Sequence, residues 1–509
     1  MSLNLALGIA CSGLAAVQRS LAQTSQNIAN ADTPGYTRRT VPQQAVDIGE
    51  MPAGLRSGAA QRAVDTAVQL QLERNRGAVA AAKAREALLQ GIEQAHGATG
   101  DGATLGDAVG ALAGAFTSLR VTPADAGQQR AVLTAAETVT TRLHDVSAAI
   151  GAARQQAQDG MVQEVAAANA ALRRIAGLTL QLRSGESGDA AALEDQRDAA
   201  IASLGESLDI QAIRKPGGDL LLVASGGVVL PLDPRHDVLA VAPATVTPDT
   251  YHGPPAGTLP GVTLNGIDVT AQLAGGRLGE YVALRDRTLP RYQAETDLVA
   301  ANLADRFGRE GLALFTDADG TTLPDPSQPY AGSTQPGLAA RLRIGAAVAA
   351  DPGLLRDGTH AVAASPGGPD AFTPNPPGGP AGFTTLVDRV LKHSLGREAA
   401  PGSPWPPIAS AGLGPDGSLA SPFVPGGTIA DYAGAVTTAQ LGDRAAATTA
   451  KDSATALQTA LEARFAARSG VDVDAEMAGM VTLQNAYAAN ARVIGTLQSM
   501  WDALLGAVR

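Results

Sequence analysis

Cysteine occurs once in the 509 residues, at Cys11, which excludes an internal disulfide framework and a cysteine-based zinc site. Histidine is nearly as sparse. His96, His144, His236, His252, His360 and His393 are scattered, with no H-E-x-x-H and no pair at metal-ligand spacing. Lysine is confined to Lys83, Lys215, Lys392 and Lys451, so nearly all the positive charge is arginine. The net charge of −11 leaves no basic surplus for a nucleic-acid partner. Neither a G-x-S-x-G nucleophile elbow nor a G-x-x-x-x-G-K phosphate loop occurs. No apolar run approaches the roughly 20 residues of a membrane span. No Lys or Arg precedes Arg19 to form the basic region of a signal peptide.

Two fragments look like chemistry and read better as loops. Gly412-Leu413-Gly414-Pro415-Asp416-Gly417 fits G-x-G-x-x-G in letters, without the strand before and helix after that a dinucleotide site needs. Asp317-Ala318-Asp319-Gly320 with Asp325 lacks the third acidic position and closing Glu of a calcium loop. Glu194-Asp195 reads as solvated charge on an exposed helix. No cofactor, metal or catalytic group is expected.

What the chain does hold is alanine, leucine and valine, with 58 Gly and 31 Pro concentrated between residues 210 and 430. The length exceeds what one hydrophobic core supports, so several domains are expected. The composition predicts a multidomain protein, mainly α, with a β-rich middle. Long amphipathic runs cover Ala63–Gln94, Ala124–Arg183, Ala190–Ser207, Gly279–Gly308 and Tyr432–Arg468, with a looser stretch from Gly100 to Gly114. Strand and turn signals fall at Leu220–Leu230, Val238–Val246 and Val262–Gly266. The expected division is a terminal domain of 1–40 and 471–509, and a helical bundle of 41–209, 278–309 and 430–470. A β domain covers 210–277, and an irregular Pro/Gly-rich insertion, 310–429, either packs on the bundle or forms a further small outer domain.

The two ends carry matching apolar stripes. Leu3, Leu7, Ala10, Leu14, Val17, Leu21, Thr24, Ile28 and Ala31 step by four and three. So do Met480, Leu483, Tyr487, Asn490, Ile494, Leu497, Trp501, Leu504 and Val508, with Asn490 as a polar position inside the seam. Residues 1–40 balance to +2 and residues 471–509 to −2, a sign that favours pairing of one end with the other. The spacing predicts that the termini meet as a coiled coil.

Asn27-Ile28-Ala29-Asn30 leading to Thr33-Pro34-Gly35-Tyr36-Thr37-Arg38 resembles the N-terminal signature of flagellar rod, hook and hook-associated proteins. Asn485 to Ile494, with Ala488, Asn490 and Ala491, resembles the matching C-terminal signature. Rod and hook members usually show Lys after Gly-Tyr, so Gly35-Tyr36-Thr37-Arg38 is more similar to the hook-associated members of the hook–filament junction.

The resemblance implies an axial structural protein, not an enzyme, exported unfolded through the flagellar type III apparatus without a cleaved leader and located outside the cell. It implies an inner coiled coil of the termini, a helical domain outside it and an outer β domain. Implied partners are copies of the chain in a ring, the hook protein, the next hook-associated protein, and a cytosolic export chaperone on Met480 to Val508. A hook or distal rod protein is the alternative within the family. A secreted wall-active enzyme would instead need a convergent acidic pair in a cleft. A surface binding protein would need exposed aromatics, and Trp405 is the only tryptophan in the middle of the chain.

Overall fold

A computed structural model of the chain describes residues 3–33, 35–48, 51–98, 102–185, 189–366, 368–423 and 427–507. Helix α1 covers Leu3–Ala29. By length and composition it is apolar enough to cross a membrane, a correction to the expectation that no segment comes near that. After it the chain forms β1 (Arg39–Thr40), the β2–β3 hairpin (Gln43–Ile48, Met51–Ser57) and β4 (Gln61–Arg62), which pairs antiparallel with β1.

Four helices follow: α2 (Thr66–His96), α3 (Leu105–Val121), α4 (Ala126–Ser184) and α5 (Ala190–Ser207). Side chains mark their starts. Asp65, Asp125 and Asp189 each accept an N–H from the first turn, and Thr104 and Asp107 form a reciprocal capping box. Helix α3 corrects the looser reading of Gly100–Gly114. Its capping box nucleates it, Val109, Leu112, Phe116 and Leu119 are fully buried, and the bare Cα of Gly106 lets a neighbouring helix approach at Gly434. At 59 residues, α4 is a spine about 88 Å long.

The β elements are small. Strands β5 (Ile210–Arg214), β6 (Leu220–Ala224) and β7 (Val229–Leu230) form one antiparallel sheet in sequence order. A second sheet is ordered β10-β9-β8, from β8 (Leu239–Ala240), β9 (Thr263–Leu264) and β10 (Ile267–Asp268). The β9–β10 turn is Asn265-Gly266, both at positive φ, as a tight hairpin requires. The strand expected over Val238–Val246 shrinks to β8 because α4 supplies the partners a ladder would have supplied. Gln158 and Gln155 donate to the carbonyls of Ala242 and Ala244, and Val246 N–H donates back to Gln155.

Helix α6 (Gly276–Ala283) runs through a π-helical turn, Leu284–Thr288, into α7 (Leu289–Arg309). Between α7 and the last two helices the described residues form short pieces: β11 (Phe315–Thr316), α8 (Leu338–Arg341), β12 (Arg343–Ile344), α9 (Ala346–Ala350), α10 (Leu354–Asp357), α11 (Thr385–Arg389) with a π-helical turn (Val390–Ser394), β13 (Glu398–Ala400), β14 (Ser403–Pro404), β15 (Ala411–Leu413) and β16 (Leu419–Ala420). The G-x-G-x-x-G letters are the β15–β16 hairpin, with all three glycines at positive φ. The Asp317–Asp325 carboxylates cap their own turns, Asp319 taking the N–H groups of Thr321 and Thr322. The chain closes with α12 (Ile429–Ser469) and α13 (Val473–Gly506).

Three apolar clusters hold the described residues. The first joins α3, the start of α4, α7 and α12 to the short pieces of 312–413, around Phe116, Phe307 and Phe315. The second joins the far half of α4 to α5, α6 and both small sheets. The third packs α2 on the middle of α4 around Leu89, Ile92 and Tyr292. None of their residues comes from α1 or α13.

Candidate assembly interface

Helices α1 and α13 lie antiparallel. Leu3 and Leu7 share a groove of about 390 Å³ with Leu497 and Trp501, while Ser20 and Gln23 lie with Glu476 and Gly479 at the other end. Midway, a Cβ on Gly13 would stand 3.3 Å from Oδ1 of Asn490, so the helices touch where one has no side chain.

The pairing uses part of the predicted seam. On α1, Val17 is buried and Leu3, Leu14, Leu21 and Ile28 are half-buried, while Leu7 stays 36% exposed. On α13, Met480, Leu483, Asn490, Ile494 and Leu497 are half-buried, but Tyr487, Trp501 and Leu504 remain exposed. Val508 and Pro34 lie outside the described residues. The other side of α1 carries the β2–β3 hairpin, with Gly54 against Ser12 and Leu55 N–H donating to Ser12 Oγ at 3.1 Å. No such cover exists for α13 among the described residues. Val473, Met477, Val481, Val493, Met500 and Leu505 are each 42–55% exposed, on flanks that α1 does not reach.

The N-terminal signature closes the end of α1. Asn27 is 1% exposed and makes four hydrogen bonds. Its Nδ2 donates to Arg39 O, and its Oδ1 accepts from Arg39 N, the Tyr36 hydroxyl and Gln23 Nε2. Asn30 is half-buried, and its Oδ1 accepts from Thr33 Oγ1. Gly35 sits at φ 80°, a conformation that favours glycine. Arg38 donates through Nε to Glu476 at 2.6 Å and through its backbone N–H to Ser469 O, which ties the loop to the α12–α13 junction. In the C-terminal signature Asn490 faces α1, whereas Ala488 and Ala491 face solvent.

Thr37 leads into an ion cluster that the sequence reading missed. Asp195, read there as solvated, is a hub: it accepts from Thr37 Oγ1 at 2.7 Å, Arg39 Nη2 at 2.9 Å and Arg62 Nη1 at 2.9 Å. Asp198 pairs with Arg62 and Arg214, and Arg214 also reaches Glu73. Burial works against the Asp198 carboxylate, yet Arg214 and Arg62 hold its pKa below the usual value. Burial raises that of Glu73, with Arg214 offsetting part of it. A cleft of about 420 Å³ lies alongside, lined by Gly35, Thr37, Arg62 and these carboxylates. Arg39 and Arg62 come from more than a hundred residues before Asp195, so helix periodicity gave no sign of them.

Residues 89–320 match the family model of the flagellar hook-associated protein FlgK helical domain. Residues 7–37 match that of the flagella basal body rod protein, and residues 463–507 that of the flagellar basal body rod FlgEFG protein C-terminal. Among curated protein sequences none matches. A solved structure, the flagellar hook junction protein FlgK from Burkholderia pseudomallei, is 22% identical, with a TM-score of 0.40; the match covers 49% of this chain and 45% of that one. The chain thus spans under half the length of that solved relative. With rod-type termini flanking a hook-associated helical domain, the chain belongs to the family of flagellar rod, hook and hook-associated axial proteins.

Proposed function

We propose that the chain is a structural subunit of the bacterial flagellum that forms the junction between hook and filament by self-assembly through its terminal helices. The observation that carries this is the apolar surface of α13 left over once α1 has docked. A two-helix pair covers one stripe of each helix, and the remaining apolar flanks need neighbours. The rod-type matches at the termini suit a hook or distal rod subunit equally; the match over residues 89–320 favours the junction reading.

On this reading 1–40 and 471–509 form the inner coiled coil, with 41–209, 278–309 and 430–470 as the helical domain around it. Residues 210–277 form the outer β domain, and 310–429 pack on the helical domain. Neighbouring copies in a ring, the hook protein and the next hook-associated protein cover α13 in the flagellum, and an export chaperone covers Met480 to Val508 beforehand. The role is structural and extracellular, without cofactor or catalysis.

The double variant Val481→Asp, Val493→Asp places charges on the uncovered flanks of α13. Surface changes of this kind cost the folded monomer within about 0.5 kcal/mol each. The melting temperature is therefore expected to hold while incorporation at the hook tip, scored by electron microscopy, is lost. Normal incorporation would refute the reading.

A further inference from the structure

A cavity of about 60 Å³ opens between α7 and the start of α12, lined by Arg306, Trp405, Pro407, Ile408, Thr428 and Tyr432. Arg306 is 2% exposed, yet its Nε and Nη1 have no hydrogen-bond partner among the described residues. The nearby carboxylates are engaged elsewhere. Asp305 pairs with Arg309 at 2.8 Å and Glu310 with Arg389 at 2.9 Å. Asp431 is exposed, accepts the Thr428 N–H, and does not line the cavity. Tyr432 is likewise 2% exposed, and its hydroxyl is unpartnered.

Asp305 offsets part of the buried charge from a distance, and among the described residues Trp405 lies directly against it. Its ring centre lies 4.5 Å from the Arg306 guanidinium, and its Nε1 is committed to His393 O at 2.9 Å. Such a contact stabilises a cation by about 1–2 kcal/mol, against a desolvation cost of several kcal/mol per buried ion. The positive end of the 41-residue α12 begins at the same wall. The space equals roughly two waters at about 30 Å³ each, enough for a halide and too small for a nucleotide or a peptide segment.

We propose that this cavity binds one small monovalent anion of halide size, held by Nε and Nη1 of Arg306 and the Tyr432 hydroxyl beside Trp405. The bound ion ties α7, the Pro-rich turn at 405–408 and the start of α12 together.

The full-length chain has two tryptophans, so Trp501→Phe leaves Trp405 as the sole emitter. Bromide is titrated against gluconate at constant ionic strength, reading Trp405 emission. The expected result is a saturable component above linear collisional quenching, displaced by chloride. Tyr432→Phe weakens the saturable component about tenfold, the loss of one hydrogen bond to an ion, and Arg306→Gln abolishes it. Strictly linear quenching in the Trp501→Phe parent overturns the proposal. So does a saturable component of unchanged affinity in Tyr432→Phe, which decides alone if circular dichroism shows Arg306→Gln to be unfolded.

Discussion

Asn27 shows how one buried amide can close a chain reversal. It satisfies the backbone N–H and carbonyl of Arg39 and still takes the Tyr36 hydroxyl. Asn27→Ala strands these groups in a buried site, at a cost of about 2–4 kcal/mol. Limited proteolysis is expected to cut the variant between residues 30 and 39 and to spare the wild type. Asp297 plays a comparable part in the body. It is fully buried and accepts from Gln293 Nε2, the Tyr330 hydroxyl and the N–H groups of Gly337 and Ala339, pinning residues 330–339 to α7. Burial raises its pKa from 3.8 to about 6, outweighing the donors. Between those values the folded chain holds a proton that the unfolded chain has released. The stability Asp297 contributes is therefore complete below the lower value and is lost as pH rises through the upper one. Relative to Asp297→Asn, the wild type should lose about 3 kcal/mol over that interval. A widening advantage with rising pH in chemical denaturation would contradict this assignment.

At the scale of elements, Gly13 and Asn490 set how closely α1 and α13 approach. Alanine at 13 needs Asn490 to yield by a few tenths of an ångström, and valine forces the helices apart. Gly13→Val should cost about 1–3 kcal/mol of local overpacking. Hydrogen exchange across 473–507 should rise while the main thermal transition holds; unchanged protection would mean that the helices do not touch there. The long helices were legible from apolar periodicity alone; the caps at Asp65, Asp125 and Asp472 emerge from the structure. Helix α3 was not, because Gly106, Gly110 and Gly114 look like breakers until Gly434 is seen against the first of them. The Asp195 hub was invisible for a related reason: its arginines arrive from β1 and β4, and no local pattern encodes that meeting. The apolar stripes at the two ends were legible, whereas the partial use of the second, with Tyr487, Trp501 and Leu504 left exposed, emerges only from the packing.

At the scale of the whole molecule, three apolar clusters organise the body and none draws on the terminal helices. The ends join that body through the signature loop, where Thr37 and Arg39 reach Asp195 and the Arg38 backbone N–H donates to Ser469 O. Such an arrangement separates two tasks. On the proposed function, the body folds on its own apolar cores and the terminal pair presents surface for other subunits. The most direct measurement removes residues 475–509, follows the melting and solubility of the remainder, and scores its incorporation at the hook tip in cells. The account predicts a folded, soluble body that is absent from the hook tip. A truncated chain that still takes its place there, or a body that cannot fold without α13, would contradict it.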